Sequence, residues 1–174
     1  LTVLRVPAAA FRDLVMAEDL SEMFTKYWQH VGLLQQTRLF VGFPHAVVGK
    51  LAAQAQRQHI PSGTVLMRQG TVGSELYVIE SGIVQIVKDR PNKEVIVIGS
   101  RGPGEIIGES VVSTPGGVRT ATIRAETDVT ALVLTSEQVA AVMAGQIPLK
   151  LRLIALAQER GMPIPALAAG AEAA

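Results

Sequence analysis

Gly104-Glu105-Ile106-Ile107-Gly108-Glu109-Ser110-Val111-Val112, then Ser113 to Val118, then Arg119-Thr120-Ala121-Thr122 is the stretch on which the fold turns. Past it, Thr120, Thr122, Arg124 and Glu126 alternate with Ala121, Ile123 and Ala125, the pattern of a half-buried strand whose odd-numbered residues face inward. Arg119 falls on the same inward phase. A guanidinium stays charged, and burying it unpaired costs several kcal/mol, so an anion must meet it. Its planar fork suits a phosphate or a carboxylate equally well. Glu109 lies upstream, after a glycine that lets backbone approach closely. A short helical turn beginning near Ser110 would aim free N–H groups at the same place, and such a helix start beside an arginine makes an anion site. On these residues alone, pairing of Arg119 with Glu109 or Glu105 inside the protein is an equal alternative.

Outward from this stretch the chain has three textures. From Pro61 to about Leu134, glycines at turn-like intervals separate short apolar runs: Leu76 to Ile79, Ile83 to Val87 and Val95 to Ile98. No helical segment intervenes, which argues against parallel βαβ units and predicts an antiparallel barrel or jelly roll. Before it, Ser21 to Gln58 reads as helical, with Met23, Tyr27, Val31 and Leu34 on one face and Gly42 and Pro44 as punctuation. After Leu134, Thr135 and Gln138 form a capping box ahead of the apolar stripe Val139, Val142 and Met143. Pro148 then restarts a helix through Leu149, Leu153, Leu156 and Ala157, and an alanine-rich tail follows. The predicted class is mainly β with flanking helices: a jelly-roll barrel (double-stranded β-helix) between N-terminal helices and C-terminal lid helices.

Composition narrows the functions open to such a barrel. Hydrophobic residues make up 48% and charged residues 18%, which suits a packed domain rather than a disordered chain. Sixteen basic against fifteen acidic residues leave a net charge of +1, with no basic face for nucleic acid. Cysteine is absent, which removes disulfides and thiolate metal sites and suits the cytoplasm. No apolar run reaches the roughly 18 residues of a membrane span. A metal-dependent jelly-roll enzyme needs histidines converging inside the barrel. Here His30, His45 and His59 all precede Gly63 and are expected on solvated helix faces. Nucleophilic catalysis lacks a cysteine, a Gly-x-Ser-x-Gly elbow and a histidine near Ser110 or Ser113. Gly161 to Ala174 are too few and too weakly charged for a helix-turn-helix. An enzyme is therefore not expected.

From Leu39 to about Arg160 the chain resembles the cyclic-nucleotide-binding domain shared by the catabolite activator protein, cyclic-nucleotide-dependent kinases and cyclic-nucleotide-gated channels. Leu39 to Pro44 looks like the family's opening helix. Gly63 to Leu66, Gly70, Glu75 to Ile79 and Gly82 match its first strands and turns, and Gly108-Glu109 through Arg119-Thr120-Ala121-Thr122 its phosphate-binding cassette. The resemblance implies a regulatory sensor for cyclic AMP or cyclic GMP, without a cofactor or metal. It gives Arg119 the cyclic phosphate, Glu109 the ribose 2′-hydroxyl and the backbone amides of Ser110 and Val111 a share of the phosphate cradle, and it counts Gly108 and Ala121 among the ligand-binding residues. The Thr120 hydroxyl also sits within reach, a feature that in relatives goes with cyclic GMP. The helix from Pro148 to Arg160 would be the lid over the base. Ser110 and Val111 depart from the family, which has an apolar and then a small residue there, and the bulk of Val111 narrows the implied pocket. Residues 38–162 are assigned to this domain, 163–174 to a flexible tail, and 1–37 to a helical arm or linker. Val3 to Val15 also reads as a second copy of the strand and helix starting at Val133, the end of a preceding domain in a longer tandem parent. The expected partners are the nucleotide, an effector domain in the same parent and a second copy in a homodimer, with no nucleic acid or membrane contact. The rival reading is a barrel that has lost its ligand and serves as a scaffold for dimerisation or docking.

Overall fold

The computed structural model describes residues 7–9, 12–13, 18–89, 95–109 and 117–159. The strands are β1 (Gln56–Ile60), β2 (Val65–Met67), β3 (Glu75–Ser81), β4 (Val84–Asp89), β5 (Val95–Arg101), β6 (Ile106–Ile107), β7 (Thr122–Ala125) and β8 (Val129–Thr135). The helices, among the described residues with full bounds, are α1 (Glu18–Gln36), α2 (His45–Ala52), α3 (Ser136–Met143) and α4 (Ile147–Glu159). Two four-stranded antiparallel sheets, β1-β8-β3-β6 and β2-β7-β4-β5, face each other as a jelly roll. The predicted class is the observed one.

The first sheet separates two apolar cores. On β3, Leu76 and Val78 turn toward the helices, opposite Leu134 and Leu132 of β8. The intervening Tyr77 and Ile79 turn into the barrel, where Ile79 meets Ala131, Ile107 and Val84. Side chains of a strand alternate between faces, so a strand covered on both sides needs apolar residues at nearly every position. That is why Val129–Thr135 reads as an almost unbroken apolar run. The helical core gathers Val31 and Leu34 of α1, Leu51 of α2, Val139 of α3 and Leu149 of α4 around Phe40, which is fully buried.

Several sequence expectations shift. The helical region does not run from Ser21 to Gln58: α1 stops at Gln36, and Gln56–Ile60 is an edge strand paired to β8. Only Ile60 of that strand is buried, so the ladder with β8, not an apolar pattern, makes it a strand. Leu39 to Pro44, read as an opening helix, is a set of hydrogen-bonded turns: Val41 N–H donates to the Thr37 carbonyl and Phe43 N–H to that of Phe40. The apolar face of α1 is buried only toward its C-terminal half, at Val31 and Leu34, while Met23 is 57% exposed. His59 lies on β1, not on a helix, and His30 is half-buried with Nδ1 3.1 Å from the Ala52 carbonyl oxygen.

The capping box at α3 is present as predicted: the Thr135 hydroxyl accepts from Gln138 N–H, and the Gln138 side chain accepts from Thr135 N–H. Thr135→Ala is expected to cost about 1 kcal/mol in urea unfolding, with an unchanged dependence on denaturant. α4 lies against the helical layer. Arg38 and Glu159 form an ion pair at 3.0 Å, and Arg152 donates to the Val41 carbonyl and stacks over the Phe43 ring. Leu156 and Leu39 line a cavity of about 50 Å³ with Gly104 to Ile106. These contacts of α4 run to the helical layer and to the turn into β6, and none of them reaches Arg119.

Candidate ligand-binding site

Arg119 sits just ahead of β7, which begins at Thr122 rather than at Thr120. Its backbone is tied to the loop after β2: Arg119 N–H donates to the Thr71 carbonyl at 2.8 Å, and Gly70 N–H donates to the Arg119 carbonyl at 2.9 Å. An antiparallel bridge between Val72 and Val118 continues the pairing. These bonds aim the side chain inward, and it is only 4% exposed. Inside β7 the odd-numbered phase holds, with Ile123 and Ala125 buried and Arg124 exposed.

Two glycines make room for the guanidinium. A Cβ on Gly73 would lie 2.6 Å from Nε and Nη2 of Arg119. One on Gly108 would lie 2.8 Å from Nη1 and 2.6 Å from the Glu75 carbonyl oxygen. Gly108 also has φ +82°, a conformation that side chains disfavour. Any other residue at either place would push the arginine out of its seat.

The carboxylate seated on Arg119 is that of Glu75, at the start of β3. Nη2 donates to the Glu75 carbonyl oxygen at 2.8 Å and to its carboxylate Oε2 at 3.1 Å. Nη1 makes a longer contact to the Gly108 carbonyl, at 3.5 Å. Glu105 is engaged elsewhere, accepting from Gly102 N–H and pairing with Arg101. Glu109 is buried, 4% exposed, and close enough for its charge to favour the protonated guanidinium. Burial pulls the Arg119 pKa below its ordinary value, while Glu75, Tyr77 and Glu109 push it back up. An arginine nonetheless stays charged in water-accessible pH ranges. The Tyr77 phenol is raised chiefly by burial and then by Glu75, with Arg119 opposing. Glu75, Tyr77, Glu109 and Arg119 thus form one electrostatic cluster.

Of the other residues singled out from sequence, Thr120 is exposed and Ala121 half-buried beside the arginine. The nearby hydroxyl of Thr122 is used structurally, accepting from Gln69 N–H at 3.0 Å. Ser110 and Val111, and the helical turn expected there, lie outside the described residues. So does most of Val3 to Val15. Glu75 and Tyr77 were not singled out as site residues. A larger groove of about 680 Å³ between α1 and α2 is lined by Met23, Phe24, Tyr27 and His30, and shares no lining residue with the Arg119 cluster. Among the described residues no group of histidines and carboxylates could hold a metal ion, and no helix is long and apolar enough to cross a membrane.

A barrel of this topology with a buried arginine and glutamate after a glycine turn matches the sequence profile of the cyclic nucleotide-binding domain over residues 57–146. The chain belongs to that family. It is 28% identical over 109 residues to the Arabidopsis thaliana potassium channel KAT3, matching 61% of this chain and 16% of the channel. It is 29% identical over 84 residues to a CRP-like cAMP-activated global transcriptional regulator of Mycobacterium tuberculosis, matching 48% of this chain and 38% of the regulator. Among solved structures, the Thermus thermophilus catabolite activator protein superposes with a TM-score of 0.64 at 28% identity, covering 71% of this chain and 58% of that one. The chain therefore spans well under half the length of these two curated relatives.

Proposed function

We propose that this chain is a regulatory sensor that binds cyclic AMP or cyclic GMP and does no chemistry on it. Arg119 pairs with the cyclic phosphate, Glu109 accepts from the ribose hydroxyl, and the backbone around Gly108, Ser110, Val111 and Ala121 completes the cradle with the Thr120 hydroxyl. The observation that carries this reading is the seating of Arg119: a charged fork, 4% exposed, held between two glycines with Glu109 buried nearby. Residues 38–162 form the sensor domain and 1–37 an arm leading into it. Occupancy favours one placement of α4 over another and so signals to a linked effector in the cytoplasm, by no more than the ligand's differential affinity for the two states.

The test is thermal unfolding with and without each nucleotide. A ligand at a hundredfold over its dissociation constant stabilises by about 2.7 kcal/mol. At this chain length that raises the midpoint by about 5–10 °C. The nucleotide giving the larger rise at equal concentration names the signal. A cooperative transition unmoved by either supports the second reading, a ligand-free scaffold, which the Glu75 carboxylate already seated on Arg119 favours.

A further inference from the structure

Glu75 stands where the ligand's anion is expected. Both hydrogens of Nη2 are engaged, one by the Glu75 carbonyl oxygen and one by Oε2, so one arm of the fork is already committed. Ser74 N–H also donates to Oε2, at 3.1 Å, which helps hold the carboxylate in place. Yet the Glu75 side chain is 47% exposed, against 4% for Arg119. The two partners are unequal: the arginine is fixed in its seat, whereas the carboxylate has water to move into.

We propose that Glu75 is the resting counter-ion of Arg119, exchanged for the ligand's phosphate on binding, and that it sets the affinity of the site. The proposal rests on the reading of this pocket as a cyclic-nucleotide site. Two anions on one guanidinium repel, so an arriving phosphodiester must displace the carboxylate or bind against it. Exchange keeps the buried cation compensated throughout, which an empty seat would not. The bond from Nη2 to the Glu75 carbonyl oxygen is independent of the carboxylate and keeps the fork aimed in both states. Glu75 pairs across the sheet with Thr135, the N-cap of α3, so the exchange takes place one strand away from the start of the C-terminal helices.

Calorimetric titration with cyclic AMP and cyclic GMP tests this on the full chain, Glu75→Gln and Glu80→Gln. Glu80 lies on the same strand but pairs with Arg57, so its variant removes the same charge outside the cluster. Glu75→Gln is expected to bind roughly two- to fivefold tighter, the worth of one partly exposed ion pair, and Glu80→Gln to match the full chain. Glu75→Ala is expected to behave in the same way, and guards against the glutamine amide itself holding the guanidinium. Binding by Glu75→Gln alone, with none by the full chain, also supports the exchange and describes a pocket held shut by its own carboxylate. Equal or weaker binding by both Glu75 variants, with a full chain that binds, overturns the exchange and leaves the sensor reading standing. No binding by any of them overturns both.

Discussion

Arg119→Ala is expected to weaken binding of the preferred cyclic nucleotide by about thirtyfold to several thousandfold and to erase its stabilising effect. Truncating one partner of a buried, hydrogen-bonded charge pair costs about 2–5 kcal/mol, and each 1.4 kcal/mol is tenfold in affinity. The fold should lose much less. Glu75 is half-exposed and can solvate its carboxylate, so the main loss is the pair of bonds to the Glu75 and Gly108 carbonyls, about 1–2 kcal/mol. Unliganded unfolding should therefore stay cooperative at a modestly lower midpoint, while the ligand-dependent rise disappears. Arg119→Lys keeps the charge but loses the planar fork and is expected to fall between the two. Undiminished binding by Arg119→Ala in calorimetry would remove this residue from the site altogether.

Gly82→Ala should give the largest loss of stability among the turn glycines, about 3 kcal/mol or more, and lower the midpoint by about 10 °C. Gly82 turns the chain from β3 into β4 with φ +86°, and an added Cβ would strike the Asp128 carbonyl oxygen and lie 2.9 Å from the Val129 Cα. Both obstacles are backbone, just at the start of β8, so neither can swing aside. Gly63 and Gly70 provide the comparison. They have φ +83° and +81° with nothing within 4 Å of the added atom, and alanine there should cost only about 1 kcal/mol. Equal losses at all three positions would mean that the dihedral alone decides and the approach to Asp128 does not matter.

What the sequence revealed, and what it hid, follows from the range of the forces involved. The capping box was readable because Thr135 and Gln138 are three residues apart and their bonds close locally. The inward phase of Ile123 and Ala125 was readable because strand periodicity is local too. Gln56–Ile60 was misread because an edge strand with one buried residue carries no pattern of its own; its partner lies at Val129 to Val133. Glu75 was missed as a partner of Arg119 for the same reason. Forty-four residues separate them, and only the placement of β3 beside the Gly108 turn brings them together. Glutamates nearer in sequence were the only candidates that local reasoning could offer. The inward turn of Arg119 was inferred from strand phase, although the residue precedes the strand; its bonds to Gly70 and Thr71 set its direction instead.

The sheet shared by the two apolar cores has a consequence for how the chain comes apart. Leu132 and Leu134 belong to the helical core, Val129 and Ala131 to the barrel, and one seven-residue strand carries them all. Neither core can melt while the other persists, because the partition between them is the backbone of both. A methyl group lost beneath the helices is therefore felt inside the barrel, and the protein is expected to unfold in a single step.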